Sequence, residues 1–157
     1  MDKKRILIIV VLVVIIAALA FGILNSLNST PKVHTVDVDV GNFNCSENIN
    51  FTLKNSSNGY YEYSNENQTY TVKVMKFNES EYYHSYGYDL ALEKIRGYPS
   101  STVDGVIVYN STANVGQYVG QLRHIALIHN NDKHINIQIS TPSVDETVLI
   151  ANSFKFK

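Results

Sequence analysis

The chain has 157 residues, of which 45% are apolar and 17% charged, and it contains one cysteine. This length suits one domain, and a lone cysteine excludes an intrachain disulfide framework, a four-thiolate zinc site and an iron–sulfur cluster. Residues 33–157 carry 9 basic and 13 acidic side chains, a formal net charge of −4, which argues against a nucleic-acid-binding face.

Residues 6–24 form an uninterrupted apolar segment, ILIIVVLVVIIAALAFGIL. As a helix it spans roughly 28 Å, close to the ~30 Å hydrocarbon core of a bilayer. The flank at residues 1–5 contains Lys3, Lys4 and Arg5, which the positive-inside rule places in the cytoplasm. The sequence therefore predicts a single-pass transmembrane helix at 6–24 that contacts the lipid bilayer, with the C-terminal part outside the cell membrane.

A cleavable signal peptide is the alternative for this segment. Ala18-Leu19-Ala20 matches the A-x-A pattern of a cleavage site. The apolar run is, however, longer than the roughly 7–15 residues usual for a signal peptide, which favours an uncleaved anchor. Polar residues 25–32 are expected to form a short linker to an extracytoplasmic domain at 33–157.

The first part of this domain alternates apolar and polar residues with the period of two that is typical of β-strands. Val36, Val38 and Val40 alternate with aspartates, and Asn58-Gly59 is a turn signal. Strands are predicted around residues 36–45, 49–53, 60–63 and 68–77.

The pattern then changes to that of a helix over residues 79–96. Asn78 and Glu81 fit a capping box at its start, and apolar residues follow at helical spacing. Gly97 occupies a position typical of a helix C-terminus, and Pro99 prevents the helix from continuing.

The last part of the chain predicts further strands at 105–109, 118–129 and 134–140. Ser143 and Glu146 form a second capping box, which opens a helix through about residue 151. Phe154 and Phe156 alternate with lysines, which indicates a short final strand. After the N-terminal transmembrane helix, this order predicts an α+β fold, a mainly antiparallel β-sheet with a central helix and a C-terminal helix.

The order of these elements resembles the PsbP-like fold, an antiparallel sheet flanked by helices. The resemblance covers residues 49–156 and depends on the segments NINFTLKNSSNGYYEY, TYTVKVMKF, KHINIQIS and IANSFKF. The whole chain also resembles small, anchored, Asn- and Tyr-rich surface proteins of methanogenic archaea. These resemblances imply a topology and an exported surface protein, but no functional residue, because PsbP-like domains have many roles.

The sequence contains none of the motifs that mark common enzymes. It has no G-x-S-x-G, C-x-x-C, H-E-x-x-H or G-x-x-x-x-G-K pattern. We therefore expect a protein that is not an enzyme and uses no cofactor. A small envelope hydrolase without a recognisable motif and a metal- or solute-binding module are the alternatives.

Glycosylation sequons of the form N-x-S/T are more frequent than the composition predicts. Their clustering in turn-forming segments offers a purely compositional explanation, because Asn, Ser and Thr favour turns. If the domain is exported, the sequons are also candidate attachment sites for glycans. The seven candidates are Asn28, Asn44, Asn50, Asn55, Asn67, Asn78 and Asn110.

Eleven tyrosines and no tryptophan suggest a surface for contact with a partner. The alternative is that the rings cover the sheet and that their hydroxyl groups reach water. The tyrosines cluster at Tyr60, Tyr61 and Tyr63, and again at Tyr82, Tyr83, Tyr86 and Tyr88.

His129 and His134 flank a predicted hairpin with Asn131-Asp132 as its two-residue loop. In that register the two histidines lie opposite each other on the mixed face of the hairpin, and the other face is nearly all apolar. They are weak candidates for a shared zinc or copper ion, with Asp132 as a third ligand, because a structural zinc site takes four ligands and no fourth is evident. A solvated pair beside a turn is the alternative.

Taken with the missing catalytic motifs, the predicted anchor and the sequons indicate a non-catalytic binding module at the cell envelope. Its predicted partner is another envelope protein or a cell-wall polymer. The single cysteine, Cys45, shares a strand face with Phe43 and is expected to be a buried thiol.

Overall fold

The structure is a computed structural model that describes residues 12–16, 19, 32–57, 59–76, 92–112 and 119–157. The chain divides into two compact units, Met1–Lys32 and Val33–Lys157. In the first unit, residues 12–16 and 19 are helical. All of the described strands belong to the second unit.

The predicted transmembrane helix is corrected by the structure. No helix within the described ranges is both long enough and apolar enough to cross a bilayer. A span needs about 20 consecutive helical residues, and the described helical run in this region has five; the other residues of 6–24, like linker residues 25–31, lie outside the described residues. The prediction depended on apolar composition, which does not by itself supply a continuous helix. The single-pass anchor, its contact with the bilayer and the cell-membrane location with the domain outside are therefore withdrawn.

The described residues of the second unit form short strands and one helix of ten residues. Most strands have six or seven residues, which is usual for sheets in globular domains. Its labelled elements are β1 (Val33–Val38), β2 (Gly41–Ser46), β3 (Thr52–Ser57), β4 (Tyr60–Ser64), β5 (Thr71–Lys76), β6 (Ser100–Val103), β7 (Val106–Thr112), β8 (Leu122–Asn130), β9 (Ile135–Thr141), α1 (Val144–Ser153) and β10 (Lys155–Phe156).

These strands form two antiparallel sheets. The small sheet has the order β1-β2-β10, and the large sheet has the order β3-β4-β5-β9-β8-β7-β6. Helix α1 packs against β2 of the small sheet and against β7, β8 and β9 of the large one. The helix and the small sheet therefore cover the same face of the large sheet.

The hydrophobic core lies between the two sheets and α1. The large sheet contributes alternate residues of its central strands, as the period of a half-buried strand requires. Phe43 of β2 stacks on Phe154 with ring centroids 5.9 Å apart and meets Phe51 edge-on at 5.2 Å. The fully buried apolar side chains of this core are Phe43, Cys45, Val72, Val74, Ala126, Ile137, Ile139 and Ile150.

Most of the predicted strands and the C-terminal helix are confirmed, with shifted boundaries. Ser143 caps α1 by accepting a hydrogen bond from the backbone N–H of Glu146 at 3.3 Å. The strand predicted at 36–45 is instead the hairpin β1–β2, which reverses at Asp39-Val40. The period of two is broken at this turn, because the apolar residues change from even positions (Val36, Val38 and Val40) to odd positions (Phe43 and Cys45).

The predicted fold class is wrong in its balance of helix and strand. The described part of the domain is mainly β, with ten strands in two sheets and α1 as its one long helix. Of the central helix predicted at 79–96, residues 92–95 are helical and a turn follows, while 79–91 lie outside the described residues. The sequence also missed β6, a four-residue strand with no alternating pattern. A strand forms where a distant segment pairs with it, so local sequence patterns underestimate how many residues are in strands.

His124, a buried residue of β8, links stability to pH. Its Nδ1 lies 2.7 Å from the side-chain oxygen of Asn110, and burial, together with the positive charge of Arg123, lowers its pKa. The unfolded chain, with a histidine pKa of about 6.5, therefore takes up this proton at a higher pH than the folded domain.

Stability is consequently expected to fall as the pH drops from about 6.5 through the lower pKa of the folded state, by at most about 1.4 kcal/mol per pH unit from this group. Urea unfolding of the wild type and of His124→Gln at pH 7.5 and pH 5.5 measures this contribution. The variant should lose less stability than the wild type over that interval. Equal losses in both proteins would show that His124 is not the group responsible.

Candidate functional site

A polar cleft of about 480 Å³ opens at one end of the large sheet. One wall is the loop after β2 and the beginning of β3, which contribute Asn48, Asn50, Thr52 and Lys54. The other wall is the turn between β4 and β5, which contributes Asn65, Glu66 and Asn67. We call this site the polar cleft, because every one of these side chains is polar or charged.

The first wall is positioned by Ile49, a buried residue between two exposed asparagines. The backbone N–H of Ile49 donates to the carbonyl of Ser46 at 2.9 Å, and its own carbonyl accepts from the thiol of Cys45 at 3.4 Å. The Ile49 side chain enters the hydrophobic core. Asn48 and Asn50 consequently remain in solvent on either side of a fixed residue.

The second wall is a turn that its own hydrogen bonds make rigid. The side-chain oxygen of Asn65 accepts from the backbone N–H of Tyr70 at 3.0 Å, and its amide nitrogen donates to the hydroxyl of Thr69 at 2.9 Å. Gln68 has a φ of 55° and donates its N–H to the carbonyl of Asn65 at 3.0 Å. Glu66 is exposed at the tip of this turn.

The two walls meet because β3 pairs with β4. Thr52 lies opposite Ser64, and its hydroxyl donates to the carbonyl of that residue at 3.4 Å. The pairing register shifts between Leu53 and Asn55, so that Lys54 lies at a β-bulge. Bulges redirect side chains near binding sites, and Lys54 is one of the residues that line the cleft.

The cleft offers many hydrogen-bond donors and acceptors and little net charge. Its amide groups both donate and accept, Thr52 does the same through a hydroxyl, and the charges of Lys54 and Glu66 offset each other. Glu66 is the one carboxylate among the described residues of its lining. The arrangement suits recognition of a neutral, hydroxyl-rich ligand.

The sequence found parts of this site but assigned them another role. Asn50 and Asn67 were predicted only as glycosylation candidates, and both line the cleft. The other lining residues were missed because a polar residue in a sequence indicates only an exposed position. The two walls come together through the pairing of β3 with β4, which no local pattern shows.

The remaining sequons lie in different environments. Asn55 is exposed on the edge strand β3. Asn44 is half-buried in β2, where its side-chain oxygen accepts from Thr35 at 2.9 Å, and the side chain of Asn110 contacts His124. Asn28 and Asn78 lie outside the described residues. Exposure thus favours Asn50, Asn55 and Asn67 as acceptors over Asn44 and Asn110.

The predicted pairing of His129 with His134 is wrong. His129 pairs with Asn136, and residues 131–134 form a four-residue turn in which His134 has a φ of 52°. The side chain of Asn130 supports this longer turn by accepting from the N–H of Lys133 at 3.0 Å.

Asp132 also lies in this turn, so the geometry on which the metal prediction depended is not formed. In the part of the chain that the structure describes, no group of three or more His, Cys, Asp or Glu side chains is placed to hold a metal ion.

The first tyrosine cluster faces both sides of the large sheet. Tyr61 and Tyr63 pack on the core, and the hydroxyl of Tyr63 accepts from the backbone N–H of Asp39 at 3.1 Å. Tyr60 donates to Glu62 at 2.8 Å, and burial and this bond raise its pKa. The three rings therefore do not share one face of the sheet, and a contact surface built from them stays a prediction. The second cluster, Tyr82, Tyr83, Tyr86 and Tyr88, lies outside the described residues.

Cys45 is a buried free thiol, as predicted. Burial raises its pKa to about 12, and the negative charge of Glu146 adds to this effect. Its sulfur lies 3.6 Å from the Nε2 atom of His34. A thiol with so high a pKa is protonated at neutral pH and is not an activated nucleophile.

No model of a known protein family matches this chain, and no match was found among curated proteins. The resemblances to the PsbP-like fold and to archaeal surface proteins therefore remain predictions.

Proposed function

We propose that the domain is a non-catalytic binding module for a neutral polysaccharide, such as a cell-wall polymer, which it holds in the polar cleft. The observation that carries this proposal is the lining, in which all seven residues are polar or charged and the two charges offset each other. Sugar hydroxyls lose their hydrogen bonds to water when a sugar enters a cleft. The amides, the hydroxyl and the carboxylate of this lining can form hydrogen bonds with them instead.

The rigidity of the second wall supports the same proposal. Asn65 is held by hydrogen bonds on both sides of its amide, so the turn keeps its shape without a ligand. A preformed site loses less conformational entropy on binding than a flexible one. Glu66 and Asn67 are thereby presented at a fixed distance from the opposite wall.

Binding of neutral hexasaccharides, including those of β-linked glucose and of N-acetylglucosamine, by the full-length chain tests the proposal. The double variant Asn48→Ala/Glu66→Ala removes one side chain from each wall and leaves every sequon intact. We expect at least one hexasaccharide to bind, and the double variant to bind it about tenfold more weakly or worse, because each lost hydrogen bond contributes about 0.5–1.5 kcal/mol and a charged one more. Isothermal titration calorimetry measures both affinities.

Asn131→Ala/Asp132→Ala is the matched control, because it removes the same two kinds of side chain from another exposed turn. Its affinity should equal that of the wild type. The proposal fails if no neutral hexasaccharide binds, or if the cleft variant binds as tightly as the control. Binding of acidic saccharides alone would also contradict it, because the charges of the described lining residues, Lys54 and Glu66, offset each other.

A further inference from the structure

A second concavity of about 500 Å³ lies between α1 and the hairpin of β6 and β7. We call it the helix groove. Its floor is apolar and is formed by Val103, Val148 and Leu149, whereas Asp104 and Asp145 are acidic residues on its border. The described lining of the polar cleft, in contrast, contains no apolar residue.

The groove exists because one face of α1 is turned towards the hairpin. Asp145, Val148, Leu149 and Asn152 are spaced at i, i+3, i+4 and i+7, so they follow one side of the helix over two turns. All four line the groove. Asp145 lies at the N-terminal end of this face, and Asn152 lies at the C-terminal end.

The turn of the hairpin is fixed at the C-terminal end of the groove. Asp104 and Gly105 have φ values of 47° and 81°, which are typical of a tight two-residue hairpin loop. The side-chain amide of Asn152 donates to the backbone carbonyl of Asp104 at 3.1 Å. Asp104 is therefore held beside Asn152, at the end opposite to Asp145.

Asp145 and the turn of Asp104 lie at opposite ends of this helix face. Seven residues of α-helix rise about 10.5 Å, and this is the spacing between Asp145 and Asn152, which binds the turn of Asp104. Between the ends lie the side chains of the apolar floor. Among the described lining residues none is cationic, and the last turn of α1 has no basic residue.

We propose that the helix groove binds a linear dication, an alkyl diamine or polyamine, with one ammonium group at Asp104, the other at Asp145 and the methylene chain on the floor. The two negative charges at opposite ends require a ligand with two separated positive charges, and the valine and leucine side chains require an apolar segment between them. A volume of about 500 Å³ lies within the range of small-molecule sites.

Titration of the full-length chain with 1,8-diaminooctane tests this proposal, because a chain of eight methylene groups is about as long as the two helical turns from Asp145 to Asn152. Octylamine, with one ammonium group, and 1,3-diaminopropane, with a shorter chain, are the matched ligands. We expect 1,8-diaminooctane to bind at least about tenfold more tightly than either. Methyl NMR signals of Val103, Val148 and Leu149 should shift on its addition.

Asp104→Asn and Asp145→Asn should each weaken 1,8-diaminooctane about fivefold, which is what attraction between solvated charges about 4 Å apart supplies. Asparagine tolerates the positive φ at position 104, and at the exposed position 145 it keeps the size of aspartate, so both variants should fold. Asp132→Asn removes the same charge from an exposed turn outside the groove and should bind like the wild type. Added salt should weaken binding to the wild type.

The proposal is overturned if 1,8-diaminooctane does not bind, if octylamine binds equally well, or if Asp104→Asn and Asp145→Asn bind like Asp132→Asn. Shifts confined to other parts of the domain would also overturn it. Binding of neutral hexasaccharides by these variants should be unchanged, so failure of this proposal is distinguishable from failure of the polysaccharide proposal.

Discussion

Phe43→Ala is expected to lower the free energy of unfolding by about 3–5 kcal/mol, the usual range for truncation of a fully buried phenylalanine. The Phe43 side chain is 0% exposed and lies at the centre of the small sheet. Its ring meets Phe51 edge-on and stacks on Phe154. Its removal leaves a cavity that those rings cannot fill without moving the segments that carry them.

Urea unfolding followed by far-UV circular dichroism measures this change. Leu53→Ala is the control, because Leu53 is an apolar residue of a strand but is 51% exposed, and it should cost about 1 kcal/mol or less. Because Phe154 immediately precedes β10, we also expect Phe43→Ala to increase amide exchange at Lys155 and Phe156. Similar costs for Phe43→Ala and Leu53→Ala would contradict the position of Phe43 in the core.

Glu146→Ala should destabilise the domain by roughly 2–4 kcal/mol, because hydrogen bonds to a charged group contribute about 1.5–3 kcal/mol each and their loss leaves two partly buried donors of Ser46 unpaired. Glu146 is 6% exposed in the first turn of α1. Its Oε1 accepts from the backbone N–H of Ser46 at 2.9 Å, and its Oε2 accepts from the Ser46 hydroxyl at 2.5 Å. This side chain therefore ties the start of α1 to the end of β2.

A double-mutant cycle separates this role from simple helix capping. Ser46→Ala removes the hydroxyl donor, so Glu146→Ala and Ser46→Ala together should cost at least about 1 kcal/mol less than the sum of the single changes. Asp145→Asn, which alters the neighbouring exposed carboxylate of the same helical turn, should cost about 1 kcal/mol or less. Additive effects of the two alanine substitutions would show that the Ser46 hydroxyl contributes nothing to the link between α1 and β2.

The strands were predictable where burial on one face imposes alternation. The apolar face of β8 and β9 is an example, since Ala126 pairs with Ile139 and Ile128 with Ile137. The predicted register differs from this one by two residues. A shift of two keeps every side chain on its own face, so the apolar pattern excludes a shift of one and accepts a shift of two. The length of the turn decided the register, and with it the separation of His129 from His134.

The candidate sites were less predictable than the strands, because each combines residues from distant segments. Asn48 and Glu66 line one cleft only because β3 pairs with β4, and Asp104 reaches the groove only because Asn152 holds its turn. Neither pair has a spacing that marks a motif. The apolar segment at 6–24 shows the opposite error, in which a strong compositional signal was taken as evidence of a continuous membrane-spanning helix.

The beginning of α1 separates what the sequence determined from what the tertiary structure decided. Ser143 caps the helix by a bond to the N–H of Glu146, a contact three residues apart that local chemistry alone favours. The capping-box pattern also predicts that the carboxylate of Glu146 returns to the N–H of Ser143. That N–H instead donates to the hydroxyl of Thr141 at 3.0 Å, and the carboxylate binds Ser46. Local sequence determines where the helix starts, because the donors that need a cap are N–H groups of the helix itself. The direction of the buried Glu146 carboxylate depends instead on the donors that the fold brings close to it. Here those donors belong to Ser46, at the end of a strand one hundred residues earlier in the chain.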